Sequence, residues 1–97
     1  TLLNYGFSQI TGGAAAGGTR TFPIAAPTLG CQKTIVCTTA NTSDSAIVDL
    51  NGATLLGLGT QDLIKFSTAG DFVTLVGVST SVYAITSRTP TSVTTTS

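Results

Sequence analysis

The side chains that could carry catalysis in this chain lack the usual base for it. The sequence contains no His and no Glu, so the amines of Lys33 and Lys65 are the candidates to activate a Ser, Thr or Cys nucleophile. Successive side chains of a strand point to opposite faces, so Lys33 is expected to alternate with its neighbours Cys31 and Thr34 or to reach solvent. These residues predict no catalytic site and no enzymatic activity.

The four carboxylates, Asp44, Asp49, Asp62 and Asp71, are spread over separate predicted turns and strands. A Ca²⁺ site needs several oxygen ligands that converge, usually from one loop. The segment Asn41–Ser45 comes nearest to that pattern, but its side chains are more typical of a turn. A Zn²⁺ site would need more ligands than two cysteines in a chain without His. We therefore expect no metal and no other cofactor.

Glycine-rich stretches also lack the context for phosphate binding. Gly52 and Gly57 have the spacing of a P-loop, but Leu58 and Gly59 stand where that loop needs Lys and Ser or Thr. The glycine pairs at 12–13 and 17–18 do not have dinucleotide-binding spacing. These glycines are typical of bends between strands.

The two cysteines, Cys31 and Cys37, flank a segment that is predicted to be one extended strand. Six strand steps of about 3.3 Å span roughly 20 Å, whereas a disulfide needs Cα atoms within about 7 Å. The spacing therefore predicts two buried thiols that do not bridge each other, which fits a protein assembled inside a cell. The alternative is a secreted structural β-domain in which both cysteines form disulfides.

The composition excludes several classes of partner. Charged residues make up 8% of the 97 residues, against about a quarter in an ordinary soluble domain, and the formal net charge is +0. A nucleic-acid binder needs clustered basic residues, so none is expected. No run of 18 apolar residues is present, and the first residues do not resemble a signal peptide, so no membrane association is expected. With 41% hydrophobic residues and a mean hydropathy of +0.41, the uncharged exterior favours burial in an assembly.

Short Thr-, Val- and Ile-rich runs separated by turn residues predict a single all-β domain. The expected architecture is a small antiparallel β-barrel or jelly-roll-like sandwich of about eight strands with extended terminal arms. Residues 1–18 form the predicted N-terminal arm and Gly/Ala-rich loop, and residues 89–97 form a tail that is either a swapped edge strand or a linker. The Asn51–Gly52 pair predicts a tight hairpin that joins two antiparallel strands. The predicted strands are Tyr5–Ile10, Arg20–Ile24, Gln32–Thr38, Ala46–Leu50, Ala53–Leu56, Asp62–Phe66, Phe72–Val76 and Val82–Ser87.

Three segments, Gly18–Ile35, Phe66–Val78 and Val82–Ser87, together resemble the small β-rich proteins of tailed-bacteriophage virions. The similarity is to head decoration (cement) proteins and head-fibre domains, and it lies in the overall pattern. It implies a subunit that forms homotrimers and binds the major capsid protein lattice on the exterior of the virion, after synthesis in the host cytoplasm. It brings no catalytic residues with it.

A subunit of that kind needs surfaces for its sister copies and for the shell. Strand faces are expected to form the subunit contacts, and the N-terminal arm is expected to contact a neighbour or the shell. The predicted interface residues are Leu2, Leu3, Tyr5, Phe7, Phe66, Phe72, Val76, Val82 and Tyr83.

A rival hypothesis is a fibre or tail domain that recognises a host receptor or glycan. Sugar-binding surfaces use exposed aromatic side chains, and Tyr5, Phe7 and Tyr83 are the candidates. Each of them lies in an alternating run, which favours a place in the core or at a subunit contact.

Overall fold

A computed structural model describes residues 1–11, 20–39 and 46–97, and this part of the chain is all-β, as predicted. The Gly/Ala-rich loop and the turn at Asn41–Ser45 lie outside the described residues, together with the metal-site question attached to that turn. The described residues form β1 (Gly6–Thr11), β2 (Arg20–Pro23), β3 (Gln32–Thr39), β4 (Ala46–Asp49), β5 (Thr54–Leu55), β6 (Leu63–Phe66), β7 (Phe72–Gly77), β8 (Val82–Arg88) and β9 (Val93–Thr96).

The strands form two mixed sheets. The five-stranded sheet has the order β1-β3-β7-β8-β5, and the four-stranded sheet has the order β2-β4-β6-β9. The pairings of β1 with β3, β2 with β4 and β5 with β8 are parallel. The expectation of a purely antiparallel architecture is therefore wrong, because each parallel partner is reached by a long connection rather than by a tight hairpin.

The hairpin predicted at Asn51–Gly52 does not form. Both residues have positive φ, 53° and 98°, and the Ala53 amide donates to Leu50 O at 3.1 Å, so a tight turn is present. The chain then leaves the four-stranded sheet, and β5 pairs with β8. Strand β4 already has β2 on one side and β6 on the other, so no edge remains for a returning strand.

One cluster of buried side chains joins the two sheets. Both sheets contribute alternate strand residues to it, and Leu2, Phe22 and Ile85 pack against its margin. Full burial of an aliphatic or aromatic side chain contributes about 1.5–3 kcal/mol, so this cluster dominates the stability of the fold. Its largest members include Ile10, Ile35, Leu75 and Tyr83 from the five-stranded sheet and Val48, Ile64 and Phe66 from the four-stranded sheet.

The first residues connect the edges of both sheets. The Leu2 amide donates to Pro23 O at 2.8 Å, and the Ala25 amide donates to Leu2 O at 2.9 Å, which attaches Leu2 beside β2. After Gly6, whose φ is +82°, the chain continues as β1 in the other sheet. The arm predicted to extend from the domain is thus hydrogen-bonded to it at residues 2 and 6–11.

The C-terminal tail also belongs to the fold. Strand β9 pairs antiparallel with β6 of the same chain, and Val93 is buried opposite Phe66. In this structure the tail is an edge strand that completes the four-stranded sheet of its own chain, and a swapped arrangement between copies stays a prediction.

Candidate functional site

The outer face of the five-stranded sheet follows directly from strand alternation. The odd-numbered residues are buried over residues 33–37 of β3 and along β7, as Ile35 and Leu75 are, and the even-numbered residues between them point away from the core. The register aligns these outward residues in rows across the sheet: Phe7 beside Thr34 and Thr74, Gln9 beside Val36 and Phe72, and Gln32 beside Val76 and Ala84. Val82 lies next along β8 on the same face.

We call this surface the outer apolar face and define it by Phe7, Thr34, Val36, Phe72, Thr74, Val76, Val82 and Ala84. Phe7 is 61% exposed, and the other members are half-buried. Within the described residues, no outward-facing position of β1, β3 and β7 carries a charge. A face of this kind can be covered by another surface without desolvating an ion.

The polar groups in the middle of the face bond to each other. The Thr34 and Thr74 hydroxyl oxygens lie 3.3 Å apart, and the Thr86 hydroxyl donates to Thr74 O at 3.3 Å. One hydroxyl of the Thr34–Thr74 pair donates to the other, so the second hydroxyl hydrogen needs an acceptor on any surface that covers the face, because an unsatisfied buried donor costs about 1–3 kcal/mol. The two threonines contribute short, uncharged side chains to the middle of the face.

The nine predicted interface residues separate into three groups. Phe7, Phe72, Val76 and Val82 lie on the outer apolar face. Leu3 and Tyr5, each 56% exposed, precede β1, and the half-buried Leu2 packs against the core. The third group consists of Phe66 and Tyr83.

Phe66 and Tyr83 have no exposed surface in the chain, so neither side chain can contact a second copy without rearrangement. Phe66 occupies an inward position of β6, between Ala46 and Val93. Tyr83 is inward on β8, and its hydroxyl donates to Ala25 O at 2.6 Å. Both residues stabilise the fold of the single chain, which corrects the expectation that they face a neighbour.

Other exposed apolar residues were not singled out from the sequence. Leu29 is 73% exposed and Leu56 is 62% exposed. Both stand beside glycine-containing turns, where an apolar residue has no alternation to place it in the core. An apolar residue next to a glycine-containing turn is therefore the sequence feature that could have predicted their exposure.

Lys33 is the residue for which the structure differs most from the sequence-based expectation. It is 2% exposed, because it occupies an inward position of β3 between Cys31 and Ile35. Its amine donates to Ser8 Oγ at 2.6 Å and to Tyr5 O at 3.2 Å. Burial lowers the pKa of Lys33 from its ordinary value, since the interior disfavours the charged amine.

A serine hydroxyl beside a lysine amine of lowered pKa is the pair that Ser–Lys hydrolases use. Such an enzyme also needs a cleft for substrate and donors for an oxyanion. The described residues form no pocket, and Lys33 is almost completely covered. The geometry instead supports an anchoring role, since the amine links β3 to β1 and to the segment before it.

Asp71 is the second buried charged residue. Its Oδ2 accepts hydrogen bonds from the amides of Ser67 and Thr68, at 3.0 and 2.9 Å, and its Oδ1 accepts one from the Ser92 hydroxyl at 2.7 Å. The carboxylate thereby fixes the turn between β6 and β7 and attaches it to the segment before β9. This is a structural role.

Tyr83 and the cysteines complete the interior polar groups. Burial, together with the nearby Cys31 sulfur, raises the pKa of Tyr83 to about 12. Cys37 is buried as predicted, whereas Cys31 is half-buried, and no disulfide joins them. Among the described residues, no cluster of three or more acidic or cysteine side chains could hold a metal ion.

Comparisons of the chain with protein-family models, curated proteins and solved structures gave no significant match. The described residues contain no helix that is long and apolar enough to cross a membrane.

Proposed function

We propose that this chain is a structural protein of a tailed-phage virion, a decoration or cement protein that binds and stabilises the lattice of the major capsid protein. The observation that carries the proposal is the uncharged outer apolar face of the five-stranded sheet. The structure offers little support for catalysis, because the Ser8–Lys33 pair is covered and the described residues form no cleft beside it. We further propose that the two sheets stack as a sandwich, since one core contains side chains from both.

The size of the outer apolar face indicates how it is used. Four strands at about 4.8 Å and six residues at about 3.3 Å give a flat footprint of roughly 400 Å². A stable protein–protein contact covers roughly 800 Å² per partner. One such contact is therefore weak alone, and the face is suited to an assembly in which several weak contacts act together.

In the proposed assembly, three copies meet through their outer apolar faces. The exposed Leu3 and Tyr5 then remain available to contact the capsid lattice on the virion exterior. A protein that bridges several shell subunits stabilises the assembled shell over the separated subunits, because it binds the assembled form more tightly. Short uncharged side chains suit this role, since they lose little rotamer entropy when they are covered.

A lysine placed in the face tests the proposal. Val76→Lys puts a charge at a half-buried outward position of β7, and we expect it to remove the three-copy species in size-exclusion chromatography with light scattering. Thr21→Lys adds the same side chain to an exposed position of β2 and should leave the mass unchanged. A wild-type chain that stays monomeric at hundreds of micromolar would contradict the proposed trimer.

The proposed binding to the capsid lattice has to be tested on virions. Electron microscopy of particles that carry the chain should show its density on the outside of the shell. Density confined to a fibre or tail would instead favour the second candidate below.

The exposed aromatic side chains favour a second candidate function, recognition of a host receptor or glycan by a fibre or tail domain. Tyr5 is 56% exposed and Phe7 is 61% exposed. If this candidate is right, the isolated chain binds immobilised glycans, and Phe7→Ala lowers that binding at least tenfold while the fold is kept. Binding that is insensitive to both aromatic residues would exclude it.

A further inference from the structure

The edges of the two sheets are protected unequally. Open strand edges carry unpaired N–H and C=O groups, and proteins guard them with short strands, charged residues or proline. Strand β5 has only two residues, β2 contains Arg20 and Pro23, and β9 has four residues. Strand β1 has six residues without charge or proline, and within the described residues it pairs only with β3.

We propose that the open edge of β1 pairs antiparallel with β1 of a second copy, so that two five-stranded sheets become one continuous sheet. A strand that is extended, uncharged and exposed is its own complement in a two-fold contact. Phe7 and Gln9 are exposed beside this edge, and no charged residue of β1 opposes the approach of an identical strand. The backbone supplies the hydrogen bonds, as in β-strand addition between other proteins.

We centre the register of this contact on the regular part of β1. Its pairing with β3 shifts between Ile10 and Thr11, so the regular strand covers Gly6 to Ile10 and has Ser8 at its centre. Directly opposed residues in an antiparallel pair share a face. With Ser8 opposite Ser8 of the second copy, Phe7 lies opposite Gln9, and both outer apolar faces come side by side on one surface.

This contact deepens the proposed function, because it supplies the second weak contact that a face of roughly 400 Å² requires. Copies that belong to different trimers would be linked through their β1 edges. The pairing of two β1 edges is nevertheless a different contact from association through the outer apolar face, and variants can disrupt each contact by itself.

Charge at the edge is the test. Gln9→Lys places a lysine at an exposed edge position beside the outer apolar face, Gln32→Lys is the matched control beside the same face on the interior strand β3, and Thr21→Lys is the control at an exposed position of β2. We expect wild-type trimers to associate further as concentration rises, the Gln9→Lys protein to stop at trimers, and the Gln32→Lys and Thr21→Lys proteins to behave as wild type. Light scattering over a concentration series measures each mass, and thermal melting shows that each variant is folded.

The two contacts can be separated in one experiment. With Val76→Lys the edge contact should remain and give dimers, and the Val76→Lys/Gln9→Lys protein should be monomeric. A Gln9→Lys protein that associates as wild type does would overturn the edge contact. A Val76→Lys protein that keeps the wild-type mass would overturn the face contact and leave the edge contact standing.

Cross-linking tests the register. In a Cys31→Ser background, Phe7→Cys and Gln9→Cys proteins are mixed and oxidised. The proposed register predicts a disulfide between the two different variants. The absence of any such mixed dimer would overturn it.

Discussion

The outer faces of the two sheets differ in where they carry charge. The four-stranded sheet exposes rows that contain Lys65 between Ile47 and Thr94, and Asp49 between Pro23 and Leu63. The five-stranded sheet has no charge at the outward positions of β1, β3 and β7 among the described residues: Lys33 of β3 and Asp71, which precedes β7, are buried, and the exposed Arg88 stands at the end of β8. This difference supports the proposal that the outer apolar face, rather than the face of the four-stranded sheet, is the one covered in an assembly.

The largest expected effect contrasts two of the four aspartates, Asp71 and Asp49. Asp71→Ala leaves the Ser67 and Thr68 amides and the Ser92 hydroxyl without their acceptor in a buried place, and we expect it to lower the free energy of unfolding by about 2–4 kcal/mol. Asp49→Ala removes one exposed bond, from the Asn51 amide at 2.8 Å, and should cost about 1 kcal/mol or less. Urea unfolding measures both. If the two variants lost the same free energy of unfolding, the buried Asp71 would contribute no more to stability than the exposed hydrogen bond of Asp49.

A smaller effect concerns the two lysines and pH. The pKa of Lys33 is lowered by burial, so the unfolded chain holds this proton more tightly and the free energy of unfolding should rise with pH up to about the ordinary pKa of 10.5. Lys33→Met should flatten that rise, and Lys65→Met should not. Melting temperatures from pH 7 upward test this, and a Lys33→Met profile identical to wild type would contradict it.

Tyr83 acts in the opposite direction at higher pH. Its pKa is raised from 10.0 to about 12, so the folded chain holds the phenol proton more tightly and stability should fall as pH rises from about 10 through about 12. Tyr83→Phe is expected to remove this fall while leaving the rise caused by Lys33. The same series of melting temperatures measures both the rise in stability caused by Lys33 and the fall caused by Tyr83.

The smallest expected effect lies in the middle of the outer apolar face. Replacing Thr34 and Thr74 together by Val removes both partners of one hydrogen bond, so the free energy of unfolding should change by less than about 1 kcal/mol. The more apolar face should associate more tightly, by a few-fold in Kd, in light scattering. A weaker association would mean that these hydroxyls bond to the partner rather than to each other.

Local sequence patterns predicted the positions of the strands well, but they could not predict which distant strands pair. Alternation and turn residues placed β3, β4, β7 and β8 within a residue or two of their observed bounds. The partner of β5 depends on which edges are free after β4 and β6 have paired, and no local pattern contains that information.

The same dependence on distant strands explains why the outer apolar face was predicted only in part. Strands β7 and β8 carry apolar residues on both faces, so alternation alone does not say that Val76 is outside and Tyr83 inside. The burial of Lys33 likewise depends on Ser8, a residue 25 positions away that comes close only through the parallel pairing of β1 and β3.

Strand β9 is synthesised after β6, the strand with which it pairs, and this order has a consequence during translation. Val93 covers Phe66 from the last strand, and β6 keeps an open side until β9 pairs with it. A ribosome must therefore have released the chain past Thr96 before the interior can close. Until that moment the nascent polypeptide exposes an unpaired edge of β6, and partly folded chains with unpaired edges are prone to aggregate.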